Sequence, residues 1–291
     1  MLVVIAIIGI VLATLMPAVQ ASRESVRRAQ CANHLHQVST ALLTYESAHR
    51  RLPPGYTTQI NRKNEDTGPG WGWAYHILPQ LEEQPLFDQI KADKPIEDAV
   101  NADARVRILP VFLCPSDTLN EEPWTATTRE VTGAPKKAIC DVAPSNFVGV
   151  HGYTDPGSDG EGVLFRNSRV RLQDVSDGKS KTLLAGERSQ QLGLATWVGA
   201  VTGAQLYPDS PLQVSRRRVK PAAGMVLGYV GNREKSDENK SDSTQFYSQH
   251  GMGVNFAFCD GHVSYISRHI DDEILKSLST RAGGEAISRE Y

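Results

Sequence analysis

The sequence is short of several features that would mark a common class of function. Lys and Arg number 31 against 33 Asp and Glu, a net charge of −2. No basic surplus therefore draws the chain to phosphate, and generic nucleic-acid binding is excluded. There is no G-x-S-x-G elbow for a serine hydrolase. A P-loop and a G-x-G-x-x-G turn are also missing, and none of the eight His stands in an H-E-x-x-H pair. Four Cys in 291 residues are too few for a disulfide scaffold, though enough for one or two bridges. With only 22% charged residues, and with four Trp, nine Tyr and seven Phe, wholesale disorder is excluded too. The length suits one large domain or two small ones, with a core of their own.

What is present in excess is apolar surface at the start. Residues 1–19, MLVVIAIIGIVLATLMPAV, carry no charge, and the first charged side chain is Arg23. At about 1.5 Å per residue such a run just spans a hydrocarbon core as a helix. A signal peptide would carry a basic segment ahead of the run, and none stands here. Instead the run continues into a second helical pattern. Cys31, Leu35, Val38, Leu42 and Tyr45 step by three or four, one stripe of an amphipathic helix. Pro53-Pro54-Gly55 stops it. Residues 1–50 thus predict one helix, apolar in its first half, amphipathic in its second and bent at Pro17. Arg23, Arg27 and Arg28 follow the span. The positive-inside rule alone would leave the rest of the chain in the cytoplasm.

After the helix the pattern turns to short strands. Residues 56–70 are polar and predict a loop. Two short helices are expected at 74–81 and 84–90, and strands at 105–113, 145–150, 162–165 and 182–185. Residues 203–245 read as loop-rich, with Arg216-Arg217-Arg218 on a solvated stretch. The clearest signal comes late: Val254, Phe256 and Phe258 alternate, Asp260-Gly261 makes a hairpin turn, and Val263, Tyr265 and Ser267 follow. A short helix is expected at 271–278. The predicted class is α+β, a long N-terminal helix packed on a mostly antiparallel β domain.

Few residues point to chemistry, and each also has a structural reading. His250 and Asp260 make an acid/base or metal pair, but Asp260-Gly261 is equally what the hairpin requires. No third ligand follows at a diagnostic spacing, so neither a metal nor a cofactor is expected. Asp174, Asp177 and Glu187, like Asp155, Asp159 and Glu161, read as turn chemistry ahead of a cation site. Trp71 and Trp73, two apart, would share one side of a strand and form a platform for a sugar or peptide; core packing is the plainer reading. A Cys31–Cys114 disulfide would pin the helix to the domain, while Cys259 reads as a small buried hydrophobe.

The apolar LVVIAIIGIVLATLMPAV followed by a basic amphipathic helix resembles the N-terminus of type IV pilins and type II secretion pseudopilins. More narrowly, the chain resembles the planctomycete-type prepilin-like family, a domain of unknown function sometimes labelled solute-binding. That family has a C-terminal His-(nine residues)-Asp-Gly motif, here His250, GMGVNFAFC, Asp260-Gly261. Matching blocks run along the chain: 27–55, 71–90, FLCPSD at 112–117, SNFVG at 145–149, 170–189, 255–267 and 280–285. The resemblance implies residues 1–20 as a transmembrane anchor, 21–52 as the amphipathic half of the helix, and 53–291 as a domain outside the inner membrane, periplasmic or at the cell surface. It implies N-terminal methylation, and a structural or assembly role in a secretion or pilus-like apparatus. Partners would be the membrane and like subunits or other pseudopilins, met through the helix. Gly9 would let backbones approach, and Pro17 would flex at the membrane exit. Family members begin with a short basic leader, whereas this sequence starts inside the apolar run. The expectation is a true start upstream of Met1, which would also supply the missing basic residues. An enzyme is not expected. The alternatives are a tethered domain that binds carbohydrate, peptide or solute, and, behind it, a metal-assisted hydrolase around His250 and Asp260.

Overall fold

A computed structural model describes residues 2–117, 122–128, 136–157, 159–207, 219–231 and 242–284. One helix, α1 (Leu2–His49), opens the chain and runs through Pro17 without interruption. At about 1.5 Å per residue it is roughly 70 Å long. Its two halves have opposite surroundings. In the first, Val3, Ile7, Ile10 and Met16 are each more than half exposed. In the second, Cys31, Leu35, Val38 and Leu42 are fully buried. The stripe read from the sequence is thus the face that meets the domain. Helix α1 is long and apolar enough to cross a membrane.

The domain follows as β1 (Tyr56–Ile60), β2 (Asp66–Gly72), α2 (Trp73–His76), α3 (Gln84–Gln89), α4 (Ala102–Arg105), β3 (Trp124–Thr128), β4 (Ala138–Val142), β5 (Phe147–Gly152), β6 (Leu183–Glu187), β7 (Ala204–Leu206), β8 (Lys220–Pro221), β9 (Leu227–Tyr229), β10 (Gly253–Phe258), β11 (Val263–Ser267) and α5 (Asp272–Ser279). The central sheet has the order β11-β10-β6-β5-β9. Its pairings are antiparallel except β5 with β9. A four-stranded sheet (β4-β3-β7-β8) and the β1-β2 hairpin complete an α+β fold that is mostly antiparallel.

Alternation on the central sheet builds two cores. On β10, Val254, Phe256 and Phe258 join a cluster with Val148, Val150 and the α5 residues Leu275 and Leu278. Ala257 and Cys259 join the opposite cluster, with Leu35, Val38 and Leu42 of α1. A period of two along the strand puts neighbours on opposite faces, so α1 and α5 cover different sides of one sheet. Polar pins set the position of α1 as well. His34 Nδ1 meets the Leu113 carbonyl at 2.9 Å, and the Gly261 carbonyl accepts from Ser39 Oγ at 3.1 Å and His36 Nδ1 at 3.0 Å. Gly261 has φ +96°, a backbone conformation that favours glycine at this turn. Leu35→Ala should cost about 2–3 kcal/mol of domain stability, whereas Ile8→Ala, on the exposed half, should leave the melting temperature in detergent unchanged. Equal effects would mean that α1 is not part of the core.

Three sequence expectations need correcting. Residues 56–70 are a hairpin, β1-β2, not a loop. Residues 105–113 are not a strand: α4 ends at Arg105, and Pro110 starts a short 3-10 turn, Pro110–Phe112. Proline is pre-set for the first position of a helical turn and donates nothing to a ladder. Residues 162–164 are buried and Phe165 half-buried, but they form no strand; Gly162 N donates to His151 O, and Leu164 N to Val150 O at a long 3.4 Å. Arg216, Arg217 and Arg218 lie outside the described residues.

Candidate metal centre

Where α1 meets the central sheet, four side chains converge. Cys31 comes from the buried stripe of α1, Cys114 from the loop after the Pro110 turn, Glu187 from the end of β6, and His250 from the loop before β10. Their ligand-type atoms all lie within 4.8 Å of one another, and all four residues are buried. His250 Nε2 stands 3.1 Å from Cys114 Sγ and 3.5 Å from Glu187 Oε1. The Cys31 thiol donates to Glu187 Oε1.

Each member is held from behind. His250 Nδ1 donates to Glu24 Oε1 at 2.7 Å, one helical stretch before Cys31 on α1. Glu24 in turn accepts from Ser116 Oγ (3.0 Å) and from Arg27 (2.7 Å). Glu187 accepts from the Asn255 backbone N–H at 2.8 Å and from Asn255 Nδ2 at 3.1 Å. Asn146 Oδ1 accepts from the Cys114 N–H at 2.8 Å, while its Nδ2 donates to Asp117 Oδ2 at 2.7 Å. The blocks FLCPSD and SNFVG are therefore one device, which fixes the Cys114 backbone.

The electrostatics are crowded. Burial works against a charge on His250, but its contacts with Cys114, Glu187 and Glu24 outweigh it and push its pKa up to about 9. Cys114 is drawn down to about 6, chiefly by a hydrogen bond from Cys31, with burial opposing. Burial pushes Cys31 far up. Glu24 is held below the usual carboxylate range: burial opposes this, and the bonds from His250, Arg27 and Ser116 win. The single Cys31 proton thus faces two acceptors, Glu187 and Cys114. Buried anions without full compensation are costly.

The other predicted positions fare differently. Cys31 and Cys114 do come together, but their sulfurs are not bonded to each other: the Cys31 thiol donates to Glu187 and Cys114 Sγ meets His250 Nε2, so the expected bridge is not formed. His250 and Asp260 are not a pair. Asp260 sits at the turn, accepts from the His262 N–H and meets His262 Nδ1 at 2.6 Å. Trp71 and Trp73 are only 1% exposed. Trp71 lies in β2, which ends at Gly72, while Trp73 opens α2, so they do not share one strand face. Their indole N–H groups donate to the carbonyls of Lys94 and Val226. They are core, and the platform does not exist. Asp174 pairs with Arg171, and Asp177 accepts from Gly283 and Gly284, so neither joins Glu187 around a cation. Gly9 lies on the exposed half of α1, where an added Cβ would meet nothing within 4 Å among the described residues.

A β domain carried on a long, half-exposed helix, with a buried Cys/Glu/His cluster at the junction, defines the class of protein. The chain belongs to a family described as a protein of unknown function, DUF1559, whose model matches residues 20–273. The match takes in the second half of α1 and all four members of the cluster. No curated protein and no solved structure matches the chain.

Proposed function

We propose that this is a membrane-anchored, pseudopilin-like structural or assembly protein and not an enzyme. The apolar half of α1 lies in the inner membrane, with the β domain on its periplasmic side or at the cell surface. One observation carries the reading: α1 is a single 48-residue helix whose exposed apolar half continues directly into the stripe buried in the domain. A simple tether has no need of a rigid connection between anchor and cargo. Here the anchor and the domain share one helix, so packing of neighbouring anchors would set the orientation of the domains. The exposed side chains of the first half would then be covered by lipid or by other copies. The competing reading, a tethered solute-binding domain, loses its aromatic platform with the burial of Trp71 and Trp73.

Gly9→Leu tests it. A Cβ added at Gly9 would meet none of the described residues beyond its own helical turn within 4 Å, so folding of the domain should not change. Close helix–helix approach would be blocked, and cross-linked multimers in native membranes should fall at least several-fold. Undiminished cross-linking would sink the assembly role in favour of a tethered domain. Protease treatment of spheroplasts, which must cut the domain, checks its side of the membrane.

A further inference from the structure

We propose that Cys31, Cys114, Glu187 and His250 hold a structural zinc ion that locks α1 to the β domain. The inference does not rest on where the domain lies or on whether the chain assembles. Zinc takes Cys, His and carboxylate ligands in tetrahedral sites, at about 2.3 Å from sulfur and about 2.0–2.1 Å from nitrogen or oxygen. Ligand atoms around such an ion stand roughly 3.3–3.8 Å from one another. The four here, all within 4.8 Å of each other, bracket that range, and side-chain shifts of about an ångström would seat the ion. Thiolates disfavour magnesium and calcium, while the carboxylate and imidazole make the set too hard for copper(I).

The surroundings also match a metal site. A ligating His typically gives its second ring N–H to a carboxylate, and ligating carboxylates are themselves hydrogen-bonded. His250 turns Nε2 to the cluster and Nδ1 to Glu24, and Glu187 is held by Asn255. All four positions are filled by protein and buried; no ligand place is left for water or substrate. That is the mark of a structural site, not a catalytic one.

Two other fates of the same atoms are chemically distinct. A Cys31–Cys114 disulfide would leave Glu187 and His250 without a role in it. A Cys114–His250 nucleophile pair would need access, and Cys114 is 5% exposed. The role of the ion follows from where the ligands originate. One comes from α1 and three from the domain, with Glu24 of α1 reaching the His from the other side. The ion would therefore fix the rotation of the anchor helix against the domain.

The full chain, purified in detergent under reductant, should contain one zinc per chain by elemental mass spectrometry. After chelation, Co2+ should restore one equivalent, with the visible bands and sulfur charge transfer of a tetrahedral thiolate site. Chelation should lower the melting temperature and Zn2+ should restore it. Cys31→Ser should abolish the cobalt spectrum. Glu24→Gln, a partly exposed position that leaves the ligands intact, should keep one site and weaken zinc binding by about 10–100-fold. A reduced, folded chain that takes up no Zn2+ or Co2+ overturns the proposal. So does a cobalt spectrum unaffected by Cys31→Ser, or a Cys31–Cys114 disulfide trapped in native membranes.

Discussion

His250→Ala should destabilise the domain by about 3–5 kcal/mol, the scale for removing one partner of a buried charged set. His250 has a fully buried side chain that contacts Glu24, Cys114 and Glu187. The three losses are unequal. Glu24 is 37% exposed, so water and Arg27 take over. Glu187 is 2% exposed and Cys114 5%, and water cannot reach them. The penalty therefore comes from the inner side of the ring, with or without an ion. At the other end of the same sequence motif, Asp260→Ala removes a partly exposed turn contact and should cost only about 1 kcal/mol. Urea unfolding of the two variants in detergent compares them directly. If Asp260→Ala matches or exceeds His250→Ala, the motif is a turn signature alone. A hydrolase built on His250 would predict the opposite: lost activity with stability kept.

That asymmetry shows which part of the architecture was legible in the sequence. Local periodicity carried the helix stripe Cys31, Leu35, Val38 and Leu42, the β10-β11 hairpin and its Asp260-Gly261 turn, because a strand or helix announces its buried face within a few residues. Polar hairpins do not. Residues Tyr56–Ile60 and Asp66–Gly72 pair with no apolar alternation, and Asn61 closes the turn by accepting from the Lys63 and Glu65 N–H groups. The cluster was harder still. Cys31 and Glu187 are 156 residues apart, and Cys114 and His250 136, so no ligand spacing exists to read. Glu187 stood in the sequence beside Asp174 and Asp177, which the fold sends elsewhere. One signal did exist: the blocks 27–55, 112–117 and 170–189 each hold one member of the cluster, and His250 opens the C-terminal motif. Blocks that carry one metal-type side chain each are what a site assembled by tertiary structure leaves in a sequence.

Arg188→Met should cost about 3–5 kcal/mol, although it exchanges one long side chain for another of similar length. Arg188 follows Glu187 and points away from the metal-type cluster. It is fully buried and donates to four backbone carbonyls, those of Gln245 (3.0 Å), Gly224, Leu227 (2.8 Å) and Thr244 (2.7 Å). These carbonyls belong to the turn before β9, to β9 itself at the edge of the central sheet, and to 244–245. The guanidinium is their common tie. Hydrogen bonds to a charged group contribute about 1.5–3 kcal/mol each to stability, and four on one guanidinium do not add in full. Burying the cation takes back much of that sum, which leaves the net in the stated range. Methionine fills the volume but donates nothing, so the carbonyls lose a partner that water cannot replace. Arg188→Lys keeps the charge with a single three-donor head in place of the planar fork, and should cost about half as much. The order Met worse than Lys, Lys worse than wild type, read from thermal melts, identifies directional donation as the stabilising part. A Lys variant as unstable as Met would show instead that the shape of the guanidinium, and not its bonds, holds β9 in place.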